Sequence, residues 1–172
     1  MNKSGTSGLV VKSATSDYVI IGGYASVFGV VDSHNDIVVK GAFQGLCSAE
    51  NIKLLWQHDT AKPIGLITSA IEDDYGLYVE ATINISTQQG REAFSLIKQG
   101  AVTSFSIGFT VEKANHNASG TREILSAKLW EVSIVTFPAN SHAQINHIGA
   151  SKNISLTLER AVKILDSLIS TI

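Results

Sequence analysis

Three runs of β-branched and aromatic residues, each broken by one side chain usable in hydrolysis, constrain this chain more than any other feature. They are Leu54-Leu55-Trp56-Gln57-His58-Asp59, Ser104-Phe105-Ser106-Ile107-Gly108-Phe109 and Leu129-Trp130-Glu131-Val132-Ser133-Ile134-Val135-Thr136-Phe137-Pro138-Ala139-Asn140. Runs of this composition read as strands, so His58, Ser106 and Glu131 are expected on rigid sheet rather than on mobile loops. A serine nucleophile needs an imidazole to take its proton. The imidazole in turn needs a carboxylate that holds its tautomer and stabilises its charged form. The order His, Ser, Glu differs from the chymotrypsin, subtilisin and α/β-hydrolase orders, and Ser106-Ile107-Gly108 is not the strand-to-helix nucleophile elbow.

Composition limits what surrounds these runs. At 172 residues, with 44% apolar and 16% charged residues, the chain supports one domain with a real core rather than a disordered segment. A net charge of -2 gives no basic footprint, so no nucleic-acid partner is expected. The single Cys47 can neither close an internal disulfide nor begin a cysteine-based zinc site. No leader pattern and no apolar stretch of roughly 18 residues is visible, so the expectation is a soluble cytoplasmic protein without a membrane segment.

Along the chain, residues 1–16 are rich in Ser, Gly and Thr and read as a flexible N-terminal arm. Tyr18–Val31 is β-rich but interrupted by Gly22, Gly23 and Gly29, and Asp32–Asp36 follows as a polar loop. Gly41-Ala42-Phe43 starts a short helix towards Ala49 in this reading, while Ile52–Gln57, Ile64–Ile71 and Leu77–Ile85 read as strands. Thr87 is placed to cap a helix through Gln99, with Gly100 as its stop signal. Val102–Lys113 and Arg122–Phe137 read as paired strands around an Asn115–Gly120 turn. Leu158, Val162, Leu165, Ile169 and Ile172 keep helical spacing, which predicts an amphipathic helix in the 151–172 segment that packs on the domain or forms a dimer face. The expected architecture is mainly β with peripheral helices, a closed or nearly closed β-barrel over residues 17–150.

Each candidate residue has a structural competitor. Serines are common in strands, and alternation puts Ser104 and Ser106 on one face, so spacing does not choose between them. Glu131 lies either on the exposed face of a half-buried strand, which the pattern slightly favours, or against a cationic partner. Most histidines are surface or structural residues. His58 stands apart because it ends an apolar strand.

The combination is more specific than its parts. Gly23-Tyr24-Ala25-Ser26-Val27-Phe28, Asp32-Ser33-His34-Asn35-Asp36, Gly41-Ala42-Phe43, the His58 run, Pro63-Ile64-Gly65, the Ser106 run and the Glu131 run follow one another in the chain. In that order, from about Tyr18 to Asn140, the sequence resembles the prohead maturation proteases of tailed bacteriophages. That family is related in fold to the herpesvirus assemblins. The resemblance implies a serine endopeptidase with His58, Ser106 and Glu131 as catalytic residues and with no cofactor or metal. It implies the major capsid protein and scaffold as substrates, the protease itself as a further one, and action inside the assembling procapsid in the host cytoplasm. Because assemblins work as dimers, a homodimer is one arrangement to test.

Two other classes compete with this reading. One is a non-catalytic capsid assembly or scaffold protein with a β-rich body, in which the polar residues are coincidental. The other is a metallohydrolase using His34, Asp36 and His58, or His142 and His147, although those spacings match no compact helical metal motif.

Overall fold

The computed structural model describes residues 17–46 and 48–150. The expected N-terminal arm and C-terminal amphipathic helix therefore lie outside the described residues. Eight strands and one α-helix make up the body: β1 (Tyr18–Val27), β2 (Asp36–Val38), β3 (Lys53–Trp56), β4 (Asp59–Glu72), β5 (Gly76–Asn84), α1 (Gln88–Gln99), β6 (Ser104–His116), β7 (Arg122–Val135) and β8 (Ile145–Ala150).

The long strand β7 organises the sheet. Along one edge it pairs antiparallel with β6 over nearly its whole length, with Ser106 opposite Ser133 and Gly108 opposite Glu131. The same strand pairs in parallel with β2 near its start and with β3 near its end, where Lys53 meets Glu131 and Leu55 meets Ser133. From β3 the sheet continues through β4, β5 and β1 to β8. The ladders form an open path rather than a ring. At the start of β6 the path is met by one bridge, Ser104 to Gln144, and by two backbone bonds, Phe105 N–H to Ala143 C=O and Ile145 N–H to Thr103 C=O. The mainly β architecture is as expected from the sequence, whereas a barrel closed by continuous ladders is not what the pairing forms.

The core is supplied by one face of these strands. Ile21, Leu54, Ile64, Leu77, Val79, Ile83, Phe105, Ile124, Val132 and Ile134 are all essentially inaccessible to solvent. Burying each such side chain contributes about 1.5–3 kcal/mol. Asn140 staples the loop after β7 to this body: its side-chain amide donates to the Val27 carbonyl at 2.8 Å and its oxygen accepts the His142 N–H.

Local differences from the sequence reading have identifiable causes. The segment after Gly41 is a series of turns, with a short 3₁₀ segment at Ala49–Asn51, instead of a helix. The Glu72 carboxylate takes the backbone N–H groups of Gly41 and Phe43, so these donors are satisfied across the fold and need no helical ladder. Strands β2 and β8 carried no strand signal: the first has three residues, and the second contains Asn146, His147 and Gly149.

The helix formed as its caps dictate. Thr87 accepts the Gly90 N–H at 3.1 Å, and Gly100 closes the helix in the left-handed conformation, at φ 77°. Gly90 sits against the end of β5, where an added Cβ would lie 1.8 Å from the Asn84 carbonyl oxygen. Helix propensity alone favours alanine there by up to about 1 kcal/mol. Gly90→Ala should nevertheless lower stability by about 1–3 kcal/mol, the usual cost of overpacking. Denaturant unfolding measures it, and a stabilised variant would show that the helix is free to move off β5.

Candidate active site

His58 does not lie on a strand. It is the second residue of the two-residue connection between β3 and β4, where Trp56 pairs with Asp59. Both connecting residues have positive φ, 54° at Gln57 and 58° at His58. That is the backbone signature of a type I′ hairpin turn, a site usually given to Asn-Gly, so no turn signal was legible in Gln57-His58. Strand β7 and Thr136 directly after it hold the turn in place. The Gln57 N–H donates to the Ile134 carbonyl at 3.0 Å. The Gln57 side-chain amide donates to Thr136 Oγ1 at 2.8 Å, and its oxygen accepts the Thr136 N–H at 3.3 Å. The His58 N–H donates to Ser133 Oγ at 3.0 Å.

This turn carries the imidazole over β7, where His58 Nδ1 meets Glu131 Oε1 at 2.6 Å. The Glu131 side chain is 13% exposed and that of His58 is 44% exposed. Glu131 therefore faces its partner rather than solvent, against the slight preference of the sequence pattern. The hydrogen bond that the imidazole donates to Glu131, and the charge of that carboxylate, raise the His58 pKa above the ordinary value near 6.5, and partial burial of the ring opposes them. With Nδ1 committed to the carboxylate, Nε2 is the ring nitrogen left for proton transfer.

Ser106 and Ser104 separate in the structure although they share a strand face. The Ser104 hydroxyl accepts the Gln144 side-chain amide at 3.0 Å, within the bridge between β6 and the segment before β8. The buried Ser106 lines a cavity of about 360 Å³ together with His58. Ser106, Gly108, Glu131 and Ser133 occupy one face of the β6–β7 ladder, because directly opposed and i, i+2 residues share a side. Gly108 leaves the room that the carboxylate uses: a Cβ there would lie 2.3 Å from Glu131 Oε1.

The polar Asp32–Asp36 loop lines the other side of the cavity. Asp32 Oδ1 accepts the N–H groups of His34 and Asp36, at 2.8 Å and 2.9 Å. The buried Asp36 carboxylate is engaged at both oxygens by Arg122, through Nε at 2.8 Å and Nη2 at 2.5 Å. Asp32, His34, Asp36 and Arg122 all line the cavity that holds Ser106 and His58. This fork was invisible in the sequence, where nothing linked Asp36 to a residue so far along the chain. Asp36 is thus committed to Arg122, and among the described residues no group of three His, Cys, Asp or Glu side chains is arranged to hold a metal ion. His142 faces Ser141 instead, with Nδ1 3.3 Å from the hydroxyl.

The sequence family of caudovirus prohead serine proteases matches residues 7–158. The chain belongs to this family. It is 34% identical to the prohead protease of Enterobacteria phage HK97 over 73% of its own length and 58% of that protein. It is also 32% identical to the capsid polyprotein of Pseudomonas phage PAJU2 over 81% of its length, which is 21% of that protein. The chain thus spans less than two thirds of these curated relatives. In fold it is similar to the KSHV protease solved with a hexapeptide phosphonate inhibitor, with a TM-score of 0.55 and 12% identity over 89% of this chain and 77% of that one.

Gly108 supplies a direct test of the geometry. Gly108→Ala should leave the domain folded, because only the end of the Glu131 side chain has to yield. Yielding displaces the carboxylate from His58, and a misplacement of about 1 Å can cost roughly a hundred-fold in rate. Reaction of Ser106 with a fluorophosphonate probe should slow accordingly. An unchanged labelling rate would mean that the His58–Glu131 contact does not matter to the serine.

Proposed function

We propose that this chain is a serine endopeptidase that cleaves capsid or scaffold segments, and itself, during phage procapsid maturation. The observation that carries the reading is the placing of Ser106 and His58 in one cavity, with His58 bound to the largely buried carboxylate of Glu131. Residues 17–150 are the catalytic domain. Its sheet is of the assemblin type, nearly closed where Ser104 bridges to Gln144. Membership of the prohead protease family and the likeness to a capsid polyprotein support capsid protein as substrate and the procapsid interior in the host cell as the place of action.

The reaction is acyl transfer. His58 Nε2 takes the Ser106 hydroxyl proton as the oxygen bonds to the scissile carbonyl carbon, and Glu131 holds the ring and stabilises its charged form. Collapse of the tetrahedral adduct breaks the C–N bond, and His58 delivers the same proton to the leaving amine. Water then attacks the ester with His58 as base, releasing the acid and restoring the serine. The adduct's negative oxygen needs donors. Among the described residues, Arg122 is the arginine that lines the cavity, whereas Arg91 donates to the Ile85 and Ser86 carbonyls beside α1.

Co-expression with the cognate capsid protein, read by mass spectrometry, tests the assignment. Ser106→Ala should abolish processing, with a loss of about a million-fold for a nucleophile. Ser104→Ala should retain substantial activity, and the reverse result would show that the assignment is displaced by one alternate position. An intact capsid protein with the unmodified chain and no fluorophosphonate labelling would favour a non-catalytic assembly role.

The raised His58 pKa gives a pH prediction. The imidazole must be neutral to act as base, so labelling of Ser106 should increase with pH through a midpoint above the ordinary 6.5. Glu131→Gln weakens the hydrogen bond and removes the charge that together raise the midpoint and should move it down, with turnover reduced on the order of ten-thousand-fold. Near-normal turnover in that variant would remove Glu131 from the site.

A further inference from the structure

We propose that Ser133 is a positioning residue of this site, a hydroxyl clamp that fixes the imidazole backbone and the carboxylate relative to one another. The inference rests on the proposed roles of His58 and Glu131. Ser133 is completely buried on β7, opposite Ser106 in the β6–β7 ladder and opposite Leu55 in the parallel ladder with β3. Its Oγ accepts the His58 N–H at 3.0 Å and donates to Glu131 Oε2 at 2.7 Å.

The direction of both bonds is fixed by the inventory of donors. A backbone N–H can only donate, so the Ser133 oxygen must accept from His58. The single hydroxyl proton is then directed at Glu131, whose carboxylate is the acceptor. With Ser133 on Oε2 and His58 on Oε1, the carboxylate is held at both oxygens. Without Ser133 it would be held by one, free to rotate about its terminal bonds, and the N–H of a residue in a left-handed turn would lose its acceptor. Ser133 touches no reacting atom in this arrangement, so its effect is carried by Glu131 and His58.

The charged groups that face His58 define what its titration reports. Glu131 of β7 is the bonded partner. Asp59 at the start of β4 is paired with Lys62 at 3.1 Å, and Asp32, His34 and the Asp36–Arg122 pair lie across the cavity. Replacing Ser133 alters none of these others, so a change in the His58 midpoint reads the Glu131 contact.

The experiment follows the His58 imidazole by NMR titration in a Ser106→Ala background, which prevents self-digestion, with and without Ser133→Ala and Ser133→Cys. Fluorophosphonate labelling of the Ser106 proteins is measured across the same pH range, with thermal unfolding as a control. The clamp predicts that Ser133→Ala lowers the His58 midpoint towards its ordinary value and slows labelling about ten- to a hundred-fold. Ser133→Cys, which keeps a weak donor of similar size, should fall between the alanine variant and the parent. A midpoint unchanged or moved upward in a folded variant would overturn the proposal, since the carboxylate would then keep its place without the hydroxyl. If the alanine variant fails to fold, the cysteine variant decides by the same criterion. Failure of the underlying reading is separate: it would appear as loss of His58 and Ser106 dependence in the parent protein, whatever Ser133 does.

Discussion

The parallel pairing of β3 with β7 is the interaction on which the site depends. It brings the Gln57–His58 turn down onto the strand that carries Glu131 and Ser133, and onto Thr136 directly after it. Two non-glycine residues in left-handed conformation cost roughly 1–2 kcal/mol each. Four bonds hold them, two to β7 and two to Thr136 directly after it: the Gln57 N–H to Ile134, the His58 N–H to Ser133, and the two between Gln57 and Thr136. At about 0.5–1.5 kcal/mol net for each bond, the two sides are of similar size. The turn therefore has its shape only while β7 lies beneath it, and strain of this kind collects where geometry serves chemistry.

Electrostatics and packing act together on Glu131. A carboxylate with little solvent around it needs partners for both oxygens, and it has them in His58 and Ser133. It also needs space, which Gly108 leaves on the neighbouring strand. The short motif Ser106-Ile107-Gly108 thus contains two demands of different kind. Its serine faces the cavity, and its glycine is the absence that lets an acid from another strand reach the imidazole.

Much of this was legible in the sequence, and the rest was not for physical reasons. Helix α1 was read to within a residue because its signals are local: Thr87, the apolar face and Gly100 lie within one segment. The long strands were legible as β-branched runs. Local pattern missed whatever long-range partners decide. Glu72 quenches the backbone donors after Gly41, and β7 recruits Asp36–Val38 into a three-residue strand. At the site, the three candidate residues were visible as chemical types interrupting apolar runs. Ser133 was not, because a serine two residues after an acid in a strand gives no sign of whether it faces a carboxylate, a core or water. Arg122 and Asp36 were equally mute, being paired across parallel strands separated by most of the domain.

That separation sets an order on events at the ribosome. His58 and Glu131 are 73 positions apart, and the strand bearing the acid is the seventh to emerge of the eight among the described residues. Loop-closure entropy makes such distant parallel pairing a late step in folding. A growing chain therefore exposes Ser106 before β7 can form, with no ordered imidazole beside it, and the cavity gains its full set of groups only when synthesis of the sheet is nearly complete. Until β7 pairs, His58 has neither the carboxylate that meets its ring nor the hydroxyl that anchors its backbone.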